Sequence, residues 1–187
     1  MKKKTLLTII LIALIFIAAV AFSITSKVRA QAALLEKYGL AGLDTMAVVN
    51  KLDSSVDEPK ELLSSITGEA LTLKEGETTV QLSLPSDKFY LSFAPYENTV
   101  HPCVRHNLTS CRGELFNVPV HATITDDKGA LILDETVQTM ANGFVGVWLP
   151  RNINANLQVD YNGKTVTAPI STFANSDTCL TTPLKLN

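Results

Sequence analysis

The stretch VPVHATITDDKGALILDETVQT, residues 118–139, decides the fold class of this 187-residue chain. In its first half, the apolar residues Val120, Ala122 and Ile124 alternate with polar residues, as in a β-strand that buries one face. The DKG sequence at 127–129 then indicates a tight turn, and a second segment rich in aliphatic residues follows it. The stretch therefore predicts an antiparallel β-hairpin.

Short segments of the same kind recur about every ten residues from residue 69 onward, which is typical of an antiparallel β-sandwich. The sequence YNG at 161–163 predicts a second hairpin with a primed turn. Apolar residues on both faces of GFVGVWLP, residues 143–150, predict a central strand with Trp148 in the core. We therefore expect residues 69–187 to form one antiparallel β domain.

Upstream of this domain, three segments have the spacing and capping residues of helices. They are QAALLEKYGL at 31–40, LDTMAVVNKLDSS at 43–55 and EPKELLSSI at 58–66. Asp44 is the expected N-cap of the second helix, and Pro59 falls in the first turn of the third. The sequence predicts a helical N-terminal subdomain over 33–68, and an α+β fold that is mainly β.

The N-terminus has the features of an export signal. The basic start MKKK precedes the apolar run LLTIILIALIFIAAVAF, and small residues at 30–32 allow cleavage after Ala32, with a second site after Ala30. The run is also long enough for an uncleaved membrane anchor through residues 5–24. Residues 1–32 are therefore a signal peptide or a membrane anchor. In both cases the rest of the chain is periplasmic or otherwise extracytoplasmic.

The charge and cysteine content narrow the classes of function. Five of the 16 basic residues lie in 1–32, so residues 33–187 carry 11 basic and 18 acidic residues, a formal charge of −7. Such a chain repels nucleic acid and anionic lipid, and we expect neither as a partner. These 155 residues can form a core without disulfides, so the three cysteines point to a function.

The loop HPCVRHNLTSC, residues 101–111, contains two of the three cysteines and two of the three histidines. Predicted strands hold the loop at both ends, as is common for functional loops. The third cysteine lies in the polar segment NSDTCLTTP. Sulfur and imidazole together favour Cu(I) or Zn(II), and zinc is the weaker candidate because no C-x-x-C pair is present. The candidate ligands are Cys103, Cys111, Cys179, His101 and His106.

A structural disulfide between Cys103 and Cys111 is the main alternative, since exported proteins often form disulfides. It would leave Cys179 buried or idle. The odd number of cysteines argues against this alternative, because a third cysteine in an exported chain pairs between molecules or stays reactive. His121 is a weaker ligand candidate. It points away from the apolar face of its strand and is better explained as a solvated side chain.

Three charged residues flank the loop cysteines. Arg105 and Arg112 would lower the thiol pKa if they lay against the sulfurs, and otherwise they are solvated charges. Glu114 would orient a histidine if it reached one, and otherwise it is a surface carboxylate. The sequence leaves both alternatives open.

The pattern H-P-C-x-x-H-x-L-x-x-C-x-G-E from His101 to Glu114, with a third cysteine 68 residues beyond Cys111, resembles the CueP family. These are bacterial exported copper-binding proteins of copper resistance. The resemblance implies that Cys103, Cys111 and Cys179 bind copper with help from the nearby histidines. It also implies copper storage in the periplasm, transfer to a copper/zinc superoxide dismutase or another exported cuproprotein, and reduction of Cu(II) by thiols.

Three hypotheses follow. The first is sequestration and traffic of Cu(I), the second is a thiol oxidoreductase that reduces metal ions, and the third is a disulfide-stapled structural module. Two thiols that close to a disulfide release two electrons, enough to reduce two Cu(II) ions, but turnover needs an outside reductant. We therefore expect a binding protein, with enzymatic activity left open. The helical segment packs on its own sheet or on a second copy, which would make a homodimer.

Overall fold

The computed structural model describes residues 2–55 and 61–187. It begins with helix α1, Lys2–Lys37, which continues without a break past the predicted cleavage site after Ala32. Within the described residues, one helical segment, Leu7–Lys37, is long and apolar enough to cross a membrane by length and composition. A signal sequence has the same properties. Residues 2–42 group with 77–79 as one compact unit, and the rest of the described chain forms a second.

Helix α2, Thr45–Asp53, confirms the predicted second helix and its cap. The carboxylate of Asp44 accepts a hydrogen bond of 2.8 Å from the backbone N–H of Ala47, which satisfies a donor that has no partner inside the helix. The buried residues of the helix are Val48, Val49, Leu52 and Asp53. Three of them are apolar, and the fourth is a carboxylate at the helix end.

The third helix, predicted over 58–66, is wrong over Leu63–Ile66, because these residues form strand β1. Residues 58–60 of this prediction lie outside the described residues. The reason is an ambiguity of spacing. Leu62 and Ile66 are four residues apart, which suits one face of a helix but also equals two strand repeats. Ser64 is buried between them, so the buried face follows the period of a strand.

Nine further strands follow in the described part of the chain. They are β2 (Ala70–Glu75), β3 (Thr78–Ser83), β4 (Lys88–Phe93), β5 (Pro119–Asp126), β6 (Leu131–Gln138), β7 (Val145–Pro150), β8 (Asn154–Tyr161), β9 (Lys164–Ser171) and β10 (Cys179–Leu180). The strand orders are β1-β2-β3, β10-β4-β7 and β6-β5-β8-β9. The pairs β1–β2, β4–β7, β5–β6, β5–β8 and β8–β9 are antiparallel, and β10 pairs with β4 in parallel. The α+β, mainly β class is confirmed.

Both predicted hairpins are present. Between β5 and β6 the turn contains Gly129 with a φ of 84°, a conformation that glycine adopts at little cost. Between β8 and β9, Asn162 and Gly163 have φ values of 50° and 75°, as a primed two-residue turn requires. These turns fix the register of the four-stranded sheet.

The largest apolar core lies between β4 and β7 on one side and β5, β8 and β9 on the other. Within its sheet, β4 is the central strand, and five of its six residues are buried. The predicted central position of β7 is therefore wrong. Trp148 on β7 is only partly buried, and its indole N–H donates to the side chain of Asn50 over 3.2 Å.

Candidate metal centre

The loop at 101–111 lies between two strands that come from distant parts of the chain. On one side, the N–H of Ile66 in β1 donates to the carbonyl of His106 over 2.9 Å. On the other side, the N–H groups of Thr178 and Cys179 donate to the carbonyl of Val104 over 3.0 and 3.3 Å. The loop is thus held by the backbone on both sides. This arrangement brings the C-terminal cysteine next to the two loop cysteines.

Two of the cysteines form a disulfide. It joins Cys103 to Cys179, with their Cα atoms 5.5 Å apart, and Cys111 is free. The alternative pairing of Cys103 with Cys111 is therefore wrong. The Sγ atom of Cys111 nevertheless lies only 3.6 Å from the Sγ atom of Cys103. All three sulfurs meet at one point of the fold.

The structure brings together four of the five residues predicted to bind metal. The ligand atoms of Cys103, His106, Cys111 and Cys179 all lie within 4.8 Å of one another. Sulfur binds zinc at about 2.3 Å, so sulfurs that share one such ion lie up to about 4.6 Å apart. The separations of the four donors are therefore close to those that a single soft metal ion requires, once the disulfide is reduced to give thiolates.

His106 is fully buried and has a different partner at each ring nitrogen. Its Nε2 atom lies 2.7 Å from Oδ1 of Asp53, and its Nδ1 atom lies 3.7 Å from Sγ of Cys179. Burial by itself lowers the pKa of His106. Hydrogen bonds and charges from Asp53 and Cys111 outweigh this effect and raise the pKa to about 9.

Cys111 has a lowered thiol pKa. Burial of the side chain raises the pKa, but the hydrogen bond and positive charge of His106 lower it, as does the backbone N–H of Asn107 at 3.3 Å from Sγ. The sequence left open whether Arg105 or Arg112 lowers this pKa or is a solvated charge. Arg112 instead donates to backbone carbonyls, among them that of Cys111 at 2.7 Å, and Arg105 is exposed.

Asp53 was not predicted from the sequence. Its side chain is fully buried at the end of α2, and Tyr90, Ser92, His106 and Asn142 all direct polar atoms at its carboxylate. One signal was available. An acidic residue in the last turn of a helix is unfavourable for the helix dipole, so its presence there needs another explanation.

A cavity of about 300 Å³ opens beside the sulfurs. Its lining includes Cys103, Cys111, Arg112 and Phe144, together with His101. His101 is exposed and does not belong to the group of four converging ligands. Its backbone carbonyl accepts a hydrogen bond of 2.9 Å from Thr181, which ties the start of the loop to the C-terminal segment.

Two other predicted residues lie away from the centre or play a different role. His121 is on β5, where its Nε2 atom lies 3.0 Å from Asp134 of β6. Within the described residues, the hydrogen bonds of Glu114 go to Glu97, Asn98 and Thr99 rather than to a histidine. It accepts from the N–H groups of Glu97 and Asn98 over 2.7 and 2.9 Å, and these bonds lower its pKa. Glu114 therefore fixes the start of the loop.

Comparison with known proteins agrees with this geometry. The sequence model of the family "Periplasmic copper-binding protein CueP" matches residues 47–185. The crystal structure of S.CueP is similar, with a TM-score of 0.80 and 46% sequence identity over 84% of this chain and 97% of that chain. No curated protein sequence matches the chain. The family resemblance predicted from the cysteine and histidine pattern is thereby confirmed, and the chain belongs to the CueP family of periplasmic copper-binding proteins.

Proposed function

We propose that this protein sequesters Cu(I) outside the cytoplasm at a site formed by Cys103, Cys111, Cys179 and His106, and passes it to other proteins. The observation that carries the proposal is the convergence of three sulfurs and one imidazole nitrogen within 4.8 Å. Thiolate ligands favour Cu(I) over hard cations such as Mg²⁺ or Ca²⁺. The family's copper binding supports copper over zinc as the metal.

His101 has a separate part in this proposal. It lines the cavity beside two of the cysteines but lies outside the group of four ligands. We place it at the entrance, where an exposed imidazole would bind an arriving copper ion before the buried thiolates take it. On this account, replacement of His101 slows loading of the site but leaves the equilibrium affinity close to that of the wild type.

The experiment that tests the site is an anaerobic titration of the reduced protein with Cu(I) against a competing chelator. The protein is taken as isolated from the exported fraction of expressing cells. Each of Cys103, Cys111 and Cys179 is changed to Ser, and His121→Ala serves as the control. We expect all three cysteine variants to lose affinity and the control to keep it. A parallel titration with Zn(II) tests the competing metal, and tighter binding of zinc would contradict the proposal.

Reduction of Cu(II) is a second function, supported by the disulfide between Cys103 and Cys179. Two Cu(II) ions would each gain one electron as the two thiolates lose two electrons and form the disulfide. Cys111 and His106 would remain to hold a Cu(I) product. Because the step consumes the thiols, each chain acts once unless an external thiol reduces the disulfide again.

This second function is tested by counting the Cu(II) ions reduced and the thiols lost per chain. A reduced chain should convert two equivalents of Cu(II) to Cu(I) while it loses two thiols. Cys111→Ser should retain this reduction, whereas Cys179→Ser should lose it. Equal loss in both variants would show that the reducing pair is not the one joined in the structure.

Delivery, anchoring and assembly are the remaining parts of the proposal. A copper-free copper/zinc superoxide dismutase, mixed with the Cu(I)-loaded protein, should gain activity faster than with a Cu(I)-chelator complex of equal affinity. We propose that residues 1–32 act as a cleaved signal. The measured mass of the exported protein should then equal that of residues 33–187. An intact N-terminus in the membrane fraction would establish the anchor instead. Sedimentation would show whether two copies associate.

A further inference from the structure

We propose that Asp53 is a positioning residue that holds the imidazole of His106 with its Nδ1 atom toward the cysteines. The inference rests on the proposed function, since it assumes that His106 binds copper. It assigns a role to a residue outside the cysteine and histidine pattern. Four contacts of the Asp53 carboxylate and one property of the imidazole ring carry it.

The first step is the environment of Asp53. A carboxylate removed from water is costly unless hydrogen bonds replace the lost hydration. Oδ2 accepts from the hydroxyl groups of Tyr90 and Ser92 at 2.5 and 3.4 Å. Oδ1 accepts from Nδ2 of Asn142 at 2.9 Å and lies 2.7 Å from Nε2 of His106. The carboxylate is therefore fixed by groups on three different parts of the fold.

The second step is the rigidity of these groups. Tyr90 and Ser92 belong to the central strand β4, and Asp53 itself ends the short helix α2. Asn142 also donates to the backbone carbonyl of Asp53 over 2.7 Å, so backbone and side chain are held together. Because Asp53 cannot rotate freely, the direction of its bond to His106 is fixed as well.

The third step is the chemistry of imidazole. A neutral histidine has one N–H and one nitrogen with a free lone pair, and the partner of the first decides which nitrogen can bind a metal. Asp53 accepts from Nε2–H, so the lone pair lies on Nδ1 when the second proton is lost. Nδ1 is the atom that lies 3.7 Å from Sγ of Cys179. The carboxylate thus selects the nitrogen that faces the sulfurs, as carboxylates do at other histidine metal sites.

The fourth step separates positioning from plain structural support. Tyr90→Phe removes one donor from the Oδ2 side of Asp53 and leaves the Oδ1 contact with His106 in place. Asp53→Asn keeps an oxygen at the same position but removes the charge that holds the Nε2 proton. Both variants disturb the same buried network, but only the second changes the partner of His106.

The experiment compares Asp53→Asn, Tyr90→Phe and His106→Ala with the wild type, each as the exported protein in its reduced form. The first measurement is Cu(I) affinity by chelator competition. We expect Asp53→Asn to weaken Cu(I) binding about tenfold. This is the lower end of the usual effect of removing the carboxylate partner of a metal-binding histidine. Tyr90→Phe should weaken binding by less than Asp53→Asn, because it leaves the contact of Asp53 with His106 in place. If Asp53→Asn keeps the wild-type affinity while His106→Ala clearly loses it, the positioning role of Asp53 is overturned but the ligand role of His106 is not.

The second measurement is the nitrogen NMR spectrum of His106 in the Cu(I)-loaded wild type, which also decides the matter if Asp53→Asn fails to fold. Cu(I) is diamagnetic, so the spectrum is accessible. We expect a proton on Nε2 and copper on Nδ1, and copper on Nε2 would overturn the inference. If the wild type binds no Cu(I), or His106→Ala binds as the wild type does, the assumed ligand fails and the inference fails with it.

Discussion

The protein contains two histidine–aspartate pairs with the same chemistry in opposite surroundings. His106 and Asp53 lie 2.7 Å apart with both side chains 0% exposed. His121 and Asp134 lie 3.0 Å apart with side chains 44% and 47% exposed. Water screens the second pair, whereas the first depends entirely on protein groups for its hydrogen bonds. The comparison teaches that burial, rather than residue type, makes one pair part of a chemical site.

The largest expected effect concerns stability. Asp53→Ala leaves His106, Tyr90 and Asn142 without their common acceptor, and a buried charge that loses its partner costs about 3–5 kcal/mol. Urea denaturation of the unreduced protein should show a loss of this size. The matched variant Asp134→Ala should stay close to the wild type. A small effect of Asp53→Ala would mean that the two pairs are energetically alike.

The next effect concerns copper. His106→Ala removes a proposed ligand and should weaken Cu(I) binding by more than about tenfold, since loss of a supporting carboxylate alone costs at least that much. His121→Ala, the exposed counterpart, should bind as the wild type does. Chelator competition measures both variants. Equal affinity in the two would remove the functional difference between the pairs.

A third prediction concerns the reactivity of Cys111, which is the free thiol of the unreduced protein. Protonated His106 stabilises its thiolate and lowers its pKa. Alkylation by iodoacetamide needs the thiolate, so its rate should reach half of its maximum at a pH below that of an ordinary thiol. In His106→Ala this midpoint should move upward. An unchanged midpoint, as expected for His121→Ala, would contradict the assigned cause.

The smallest effect belongs to the exposed pair. Asp134→Asn breaks an ion pair that water already screens, and such pairs contribute about 0–1 kcal/mol. Thermal unfolding at low and high salt should therefore give nearly the same midpoint for Asp134→Asn and the wild type. If the unfolding midpoint of Asp134→Asn is clearly lower than that of the wild type at low salt but not at high salt, the electrostatic contribution of this pair is larger than its exposure suggests.

The sequence predicted best where burial follows the period of the backbone. Val120, Ala122 and Ile124 alternate with polar residues, and each is buried in β5 as expected. Leu63–Ile66 were wrongly predicted as helix, because a spacing of four residues between apolar side chains is compatible with both a helix and a strand. The parallel pairing of β10 with β4 was also missed, since two residues are too few to show a pattern.

At the site, the sequence revealed the residue types that bind soft metals but not their supports. Four of the five predicted residues converge, because Cys103, His106 and Cys111 are close along the chain and backbone hydrogen bonds to Val104 hold Cys179 beside them. The pairing of Cys103 with Cys179 depends on a contact across 76 residues, which spacing alone does not reveal. Asp53 was missed because its role arises only from burial beside His106.

The disulfide between Cys103 and Cys179 closes a loop with a sequence separation of 76, which includes six of the ten described strands wholly or in part. In the chain-entropy description, such a closure limits the unfolded ensemble and stabilises the fold by about 4.5 kcal/mol. A protein that opens this cross-link to receive copper gives up that restraint until a bound ion joins the same residues. The empty, reduced chain would then be the form most exposed to proteolysis, so the lifetime of the protein in the cell would depend on whether it holds its cargo.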